Sequence, residues 1–195
     1  MRDLNSLIGS RICHDLISPI GAISNGVELL TLTGGPSGPE IDMIAQSVDN
    51  ANARIRFFRL AFGAAPDGAR TSRTEVTGLF GDISRTGRVR FGWSAASEVP
   101  RRDAKLALLL VLCAESAMAR GGTVEVAEAD GSWSILAEGD RMRFTPAHWA
   151  LLNDPTLDAD VDAAHVQFVL AGEAARAAGR QIRAEQDEGQ IRLTF

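Results

Sequence analysis

The 195-residue sequence has no tyrosine, a single lysine (Lys105) and only two cysteines, Cys13 and Cys113. Two cysteines far apart in the chain make neither a disulfide framework nor a metal-ligand cluster, which fits a reducing compartment. Long apolar runs are missing as well. "LALLLVLCA" (106–114) sits between charged residues and is far shorter than the ~20 residues of a membrane span. The N-terminus lacks a signal-peptide pattern, so a cytoplasmic protein with no membrane partner is expected. Basic charge is not in excess: 20 Lys and Arg against 25 Asp and Glu leave a formal charge of -5, which argues against a nucleic-acid partner. The preference for Arg over Lys is read as genome composition, not function.

What is present is ordinary for a folded protein, 45% hydrophobic and 23% charged residues, in a length that suits one large domain or two small ones. Ile12, Leu16, Ile20, Ile23, Val27 and Leu30 recur at helical spacing and predict one helix over residues 3 to about 32. "TGGPSGP" (33–39) predicts a turn. Ile44, Val48, Ala51, Ile55, Phe58 and Phe62 predict a second helix from about 40 to 62. Two helices joined this way form an antiparallel hairpin. It cannot bury both apolar flanks alone, so a homodimeric four-helix bundle is expected. The fold class is thus α+β: a hairpin domain over 1–64, a linker over 65–73, and an α/β sandwich over 74–195. In the sandwich, "RVRFGW" alternates as a strand, helices are predicted near 74–84, 102–119 and 161–178, and Thr145-Pro146 begins a short one. Asp130-Gly131 and Asp187–Gly189 mark hairpins. Trp93 and Trp133 read as core, His148 and His165 as surface or capping residues, and Arg54, Arg56 and Arg59 as a solvated face.

The informative stretch is "SRICHDLISPIGAISNGVELL" (10–30). At about 100° per residue His14 lies opposite the Ile12–Leu16 seam. Ser18, Gly21 and Asn25 continue its stripe. An imidazole therefore projects from a helix beside the Asp15 carboxylate, on a track of small and polar residues that lets a macromolecule approach. A metal site is disfavoured, because no second His or Cys stands at i+3 or i+4. A Cys13–His14 nucleophile pair fails because neighbours on a helix diverge. An exposed helical His is commonly just a surface residue, and Pro19 in a helix commonly just a kink. Spacing alone does not settle the matter.

The order His14-Asp15-Leu16-Ile17-Ser18-Pro19 resembles the phosphoacceptor box of sensor histidine kinases. "CHDLISPIGAISNGVELL" resembles more closely the alphaproteobacterial histidine phosphotransferase (ChpT) family, and the order of elements over the whole chain agrees. That resemblance implies an α/β domain shaped like the kinase ATP-binding domain, yet three nucleotide motifs are absent. Where kinases carry a magnesium-binding Asn this chain has Ser116 in "CAESAMARGG". Where they carry Asp-x-Gly-x-Gly it has "AEGDRMRF" with one Gly. Its "LDADVDAAHVQ" has no glycine where the lid should be. Glycines there let backbone approach phosphates, so no ATP and no kinase activity are expected.

What the resemblance implies instead is a phosphorelay. His14 takes a phosphoryl group from the Asp of one receiver domain and passes it to the Asp of another. An unperturbed imidazole, with a pKa of roughly 6.5, is mostly the neutral nucleophile at neutral pH. Asp15 would orient the ring and stabilise its developing charge, and Ser18 would line the approach. Arg11, Ile17, Gly21 and Asn25 are expected to contact the partner, Ile17 as an apolar anchor. The chain itself would bind no cofactor; magnesium is expected from the receiver. The implied partners are response-regulator receivers, including that of a hybrid histidine kinase. The competing reading is a degenerate kinase-like module that binds receivers or kinases without carrying phosphate.

Overall fold

The computed structural model describes residues 3–33 and 38–195. Helix α1 (Leu4–Thr33) runs unbroken through Pro19, and α2 (Gly38–Phe62) packs alongside it. The expected turn over 33–39 falls, at 34–37, outside the described residues. The two helices approach closely at Gly26, which is buried; a Cβ there would meet the Ile44 side chain at 2.5 Å. The hairpin consumes only part of its apolar seam. Ile12, Leu16, Ile23 and Ile44 are half-buried, while Ile20 (53%), Val48 (40%) and Ile55 (50%) stay exposed because two helices have only one mutual face.

The α/β part holds a five-stranded mixed sheet in the order β2-β4-β5-β7-β6, built from β2 (Val89–Ser94), β4 (Gly122–Ala129), β5 (Ser132–Glu138), β6 (Arg183–Asp187) and β7 (Gln190–Thr194). β2 and β4 are parallel; the remaining pairs are antiparallel. The β4–β5 turn has φ of 51° at Asp130 and 78° at Gly131, the left-handed pair that a tight hairpin needs. Helix α4 (Arg101–Ala117) is apolar all round because it is covered all round: Leu106 to Ala114 are each at most 1% exposed, packed against β4, β5, α2 and α6 (Val166–Ala177). Trp93 and Trp133 are in this core, as expected. The short α5 (Pro146–Ala150) starts at its proline, although Thr145 makes no side-chain cap. The last long helix is preceded by a 3-10 turn at Ala163–His165.

Two features depart from the sequence reading. The stretch 65–73, read as linker, ends in strand β1 (Arg70–Ser72), which pairs antiparallel with β3 (Glu98–Pro100) and runs into α3 (Arg73–Thr86). Ser72 caps that helix, its hydroxyl accepting from the Glu75 backbone N–H at 3.1 Å. β1 is stabilised by a partner distant in sequence, so three residues carried no local pattern. The second departure is Arg54 on the arginine face of α2. Its side chain is only 27% exposed and pairs with Glu115 of α4, whereas Arg56 and Arg59 stay exposed as expected and pair with Asp82 (2.5 Å) and Glu75 (3.7 Å) of α3. The hydrogen bond from Arg56 holds the Asp82 carboxyl below the usual range. The end of α2 is received by α4: Arg101 donates to the carbonyls of Arg59 (3.2 Å) and Leu60 (2.6 Å), and Lys105 to that of Gly63 (2.9 Å). Burial draws both cations below their ordinary pKa. The hairpin is thereby bonded to the α/β part along α3 and α4.

Candidate functional site

His14 lies on the outward face of α1 with 81% of its side chain exposed, whereas the next residue, Asp15, is turned inward with 15% exposed. The imidazole Nδ1 is 3.1 Å from Asp15 Oδ1. An ionised carboxylate can only accept, so the nitrogen facing it carries the hydrogen. The neutral ring then keeps its lone pair on Nε2, the nitrogen not engaged by Asp15. This is an exposed imidazole with its tautomer set by a neighbour.

The second carboxylate oxygen, Asp15 Oδ2, accepts from Arg11 Nε at 3.0 Å, one turn earlier. The same guanidinium donates through Nη1 to the Ala164 carbonyl of the 3-10 turn at 2.5 Å. A second cation, Arg54 on α2, faces the same region. It donates to both oxygens of Glu115, at 3.0 and 3.4 Å. Burial works against the Arg54 charge, but the pull of Glu115, its hydrogen bonds and the nearby Asp15 outweigh it, and the pKa is raised. Asp15, Ser18 and Pro19 of α1 and Ser47, Asn50 and Arg54 of α2 line a cleft of about 280 Å³ beneath this face.

Of the residues expected at the site, His14 and Asp15 meet directly, and Ser18 is exposed at the cleft mouth one turn on. Ile17 is 68% exposed, and Gly21 and Asn25 follow on the open face, with no atom within 4 Å of a Cβ built at Gly21. Arg11, expected to face a partner, is instead turned into the protein with 14% of its side chain exposed, because Asp15 and Ala164 both claim its guanidinium. Its opposite charge to Asp15 at i,i+4 was a readable signal for that pairing. Arg54, Glu115 and Ala164 had no such signal; folding alone brings them here. His165 ends the 3-10 turn that contains Ala164, and its ring lies 4.2 Å from that of His148, tilted by 33°.

At the three stretches where the sequence lacks the kinase nucleotide motifs, the side chains and backbone make internal contacts. The Ser116 hydroxyl donates to the Cys113 carbonyl at 2.7 Å, and Gly139 abuts the Gly121 carbonyl so that a Cβ would meet it at 2.8 Å. The segment that should form the lid is bonded to α1 through Ala164. Among the described residues no cluster of three or more His, Cys, Asp or Glu could hold a metal, and no helix is long and apolar enough to cross a membrane.

Comparison with known proteins agrees with this geometry. The histidine phosphotransferase C-terminal domain family matches residues 73–190. Protein phosphotransferase ChpT of Brucella abortus (strain 2308) is 35% identical over 171 residues, 85% of this chain and 81% of that protein. A bacterial phosphotransferase solved at 1.7 Å superposes with a TM-score of 0.81 at 33% identity, covering 98% of this chain and 95% of that one. The histidine kinase AdeS of Acinetobacter baumannii matches with a TM-score of 0.45 at 13% identity, over 93% of this chain and 95% of that one. Both parts of the chain are thus accounted for, and the protein belongs to the ChpT-type histidine phosphotransferase family.

Proposed function

We propose that this protein carries a phosphoryl group on His14 Nε2 between the aspartate of one receiver domain and that of another. The observation that carries the reading is the exposed imidazole whose Nδ1 is held by the half-buried Asp15. In the forward step the Nε2 lone pair attacks the phosphorus of an aspartyl phosphate. The N–P bond forms, the P–O bond to the receiver breaks, and its electron pair returns to the receiver's carboxylate. The ring becomes cationic, keeps its Nδ1 hydrogen, and is stabilised by the adjoining Asp15 charge. The acceptor's carboxylate then attacks the phosphorus, and the N–P electrons restore neutral imidazole. Magnesium belongs to the receiver in this reading, and the chain binds no nucleotide.

The docking face is α1 around Ile17, Gly21 and Asn25, which is exposed and largely uncharged. A second copy covers the exposed Ile20, Val48 and Ile55, giving a homodimeric four-helix bundle. The deciding experiment mixes the protein with a phosphorylated receiver and looks for acid-labile, base-stable phosphate. Wild type is labelled and His14→Gln is not; label on His14→Gln overturns the assignment. Mg-ATP alone leaves wild type unlabelled and gives a flat calorimetric titration.

A further inference from the structure

Packing does not hold the reacting ring: His14 is 81% exposed, and among the described residues its side chain bonds to Asp15 alone. In-line attack needs the Nε2 lone pair aimed at phosphorus from about 3 Å, so whatever fixes Asp15 fixes the nucleophile. A carboxylate held at one oxygen can still turn about its terminal torsion. Asp15 is held at both, Oδ1 by His14 and Oδ2 by Arg11. We infer that Arg11 is a positioning residue for phosphoryl transfer, which locks the Asp15 carboxylate, and through it the His14 imidazole, against an anchor in the α/β part, the Ala164 carbonyl.

The residue type suits the task. Arg11 uses Nε for Asp15 and Nη1 for Ala164 at once, a two-ended grip that a planar guanidinium makes and a single ammonium does not. The anchor is itself fastened. Asp162 accepts from the His165 backbone N–H at 3.1 Å and lies 2.7 Å from its ring Nδ1, which closes the 3-10 turn containing Ala164 just before α6. Arg54, bonded to Glu115 of α4, presents a second cation towards Asp15 from the other helix. The groups around the Asp15 carboxylate are therefore the His14 ring and the Arg11 cation of α1 and the Arg54 cation of α2, with Glu115 of α4 behind Arg54. On this account the α/β part does chemical work without nucleotide, as the abutment of the phosphoacceptor.

The inference rests on His14 being the phosphoacceptor, and the test separates the two. Arg11→Met keeps the apolar stem and removes both bonds; Arg11→Lys keeps the charge and one bond at a time. Single-turnover transfer from a phosphorylated receiver at saturating concentration is expected to fall about ten- to a hundredfold in Arg11→Met, with partial rescue in Arg11→Lys and unchanged receiver affinity. Nitrogen-15 spectra of the His14 ring should show the Nδ1–H tautomer in wild type and tautomer averaging in Arg11→Met, a change that loss of a merely structural bond would not produce. Wild-type transfer with the tautomer retained in Arg11→Met overturns the inference, and so does a loss confined to receiver affinity. Transfer that survives His14→Gln sinks the underlying reading instead. Should Arg11→Met melt below the assay temperature, Arg11→Lys decides by the same ring spectrum.

Discussion

Ile17 offers a graded test of the docking surface. Its side chain is 68% exposed, three residues beyond His14 on a helix whose interior contacts come from Leu16 and its seam neighbours. Full burial of an Ile side chain contributes about 1.5–3 kcal/mol. Covering the exposed two-thirds therefore contributes about 1–2 kcal/mol, a five- to thirtyfold effect on receiver affinity that Ile17→Ala should largely remove. Ile17→Asp adds an unpaired charge to the same contact. The combined loss is on the order of 2–4 kcal/mol, or roughly thirty- to a thousandfold. Stability should hardly change, since an exposed helical substitution costs up to about 0.7 kcal/mol. The assay is phosphotransfer rate against receiver concentration for wild type, Ile17→Ala and Ile17→Asp, with melting temperature and molar mass recorded alongside. Transfer by Ile17→Asp within twofold of wild type refutes the reasoning, as does dissociation of a dimer, which would place Ile17 in the subunit contact.

Three further outcomes follow from the packing. Ile55→Asp should yield a monomer by light scattering with the melting temperature nearly kept, whereas Ile23→Asp, half-buried inside the hairpin, should lower it; a wild-type monomer at micromolar concentration contradicts the dimer. Thiol titration of the native protein should count one fast cysteine, the exposed Cys13, because burial pushes the Cys113 thiol well up and shields it; two fast thiols would contradict the buried α4. Glu115→Ala strands the partly buried Arg54 cation and should cost about 1–2 kcal/mol in urea unfolding. Arg54→Ala combined with Glu115→Ala should then lose less than the two single losses added together, and simple additivity would show the pair to be uncoupled.

Much of the architecture follows from local pattern. The hairpin helices are written in the recurrence of Ile12, Leu16 and Ile23 and of Ile44, Ala51 and Phe58; the β4–β5 turn is written in Asp130-Gly131; and α4 is written in an apolar run too short for a membrane and too continuous for a surface helix. The outward direction of His14 and its pairing with Asp15 needed only about 100° of rotation per residue and adjacency. Those are properties of neighbours along the chain, and neighbours are what a sequence displays. The rest depended on segments that meet only after folding. β1 exists because Thr71 finds Val99, Arg54 of α2 is drawn from solvent because Glu115 of α4 lies against it, and Arg11 turns from the open face because Ala164 supplies a carbonyl 153 residues away. A charged side chain takes whichever opposite charge or carbonyl the folded chain brings within reach, and no spacing rule encodes a partner that distant. The amino-acid sequence thus determined the position and exposure of His14 and its pairing with Asp15, while only the tertiary structure decided what holds that pair in place.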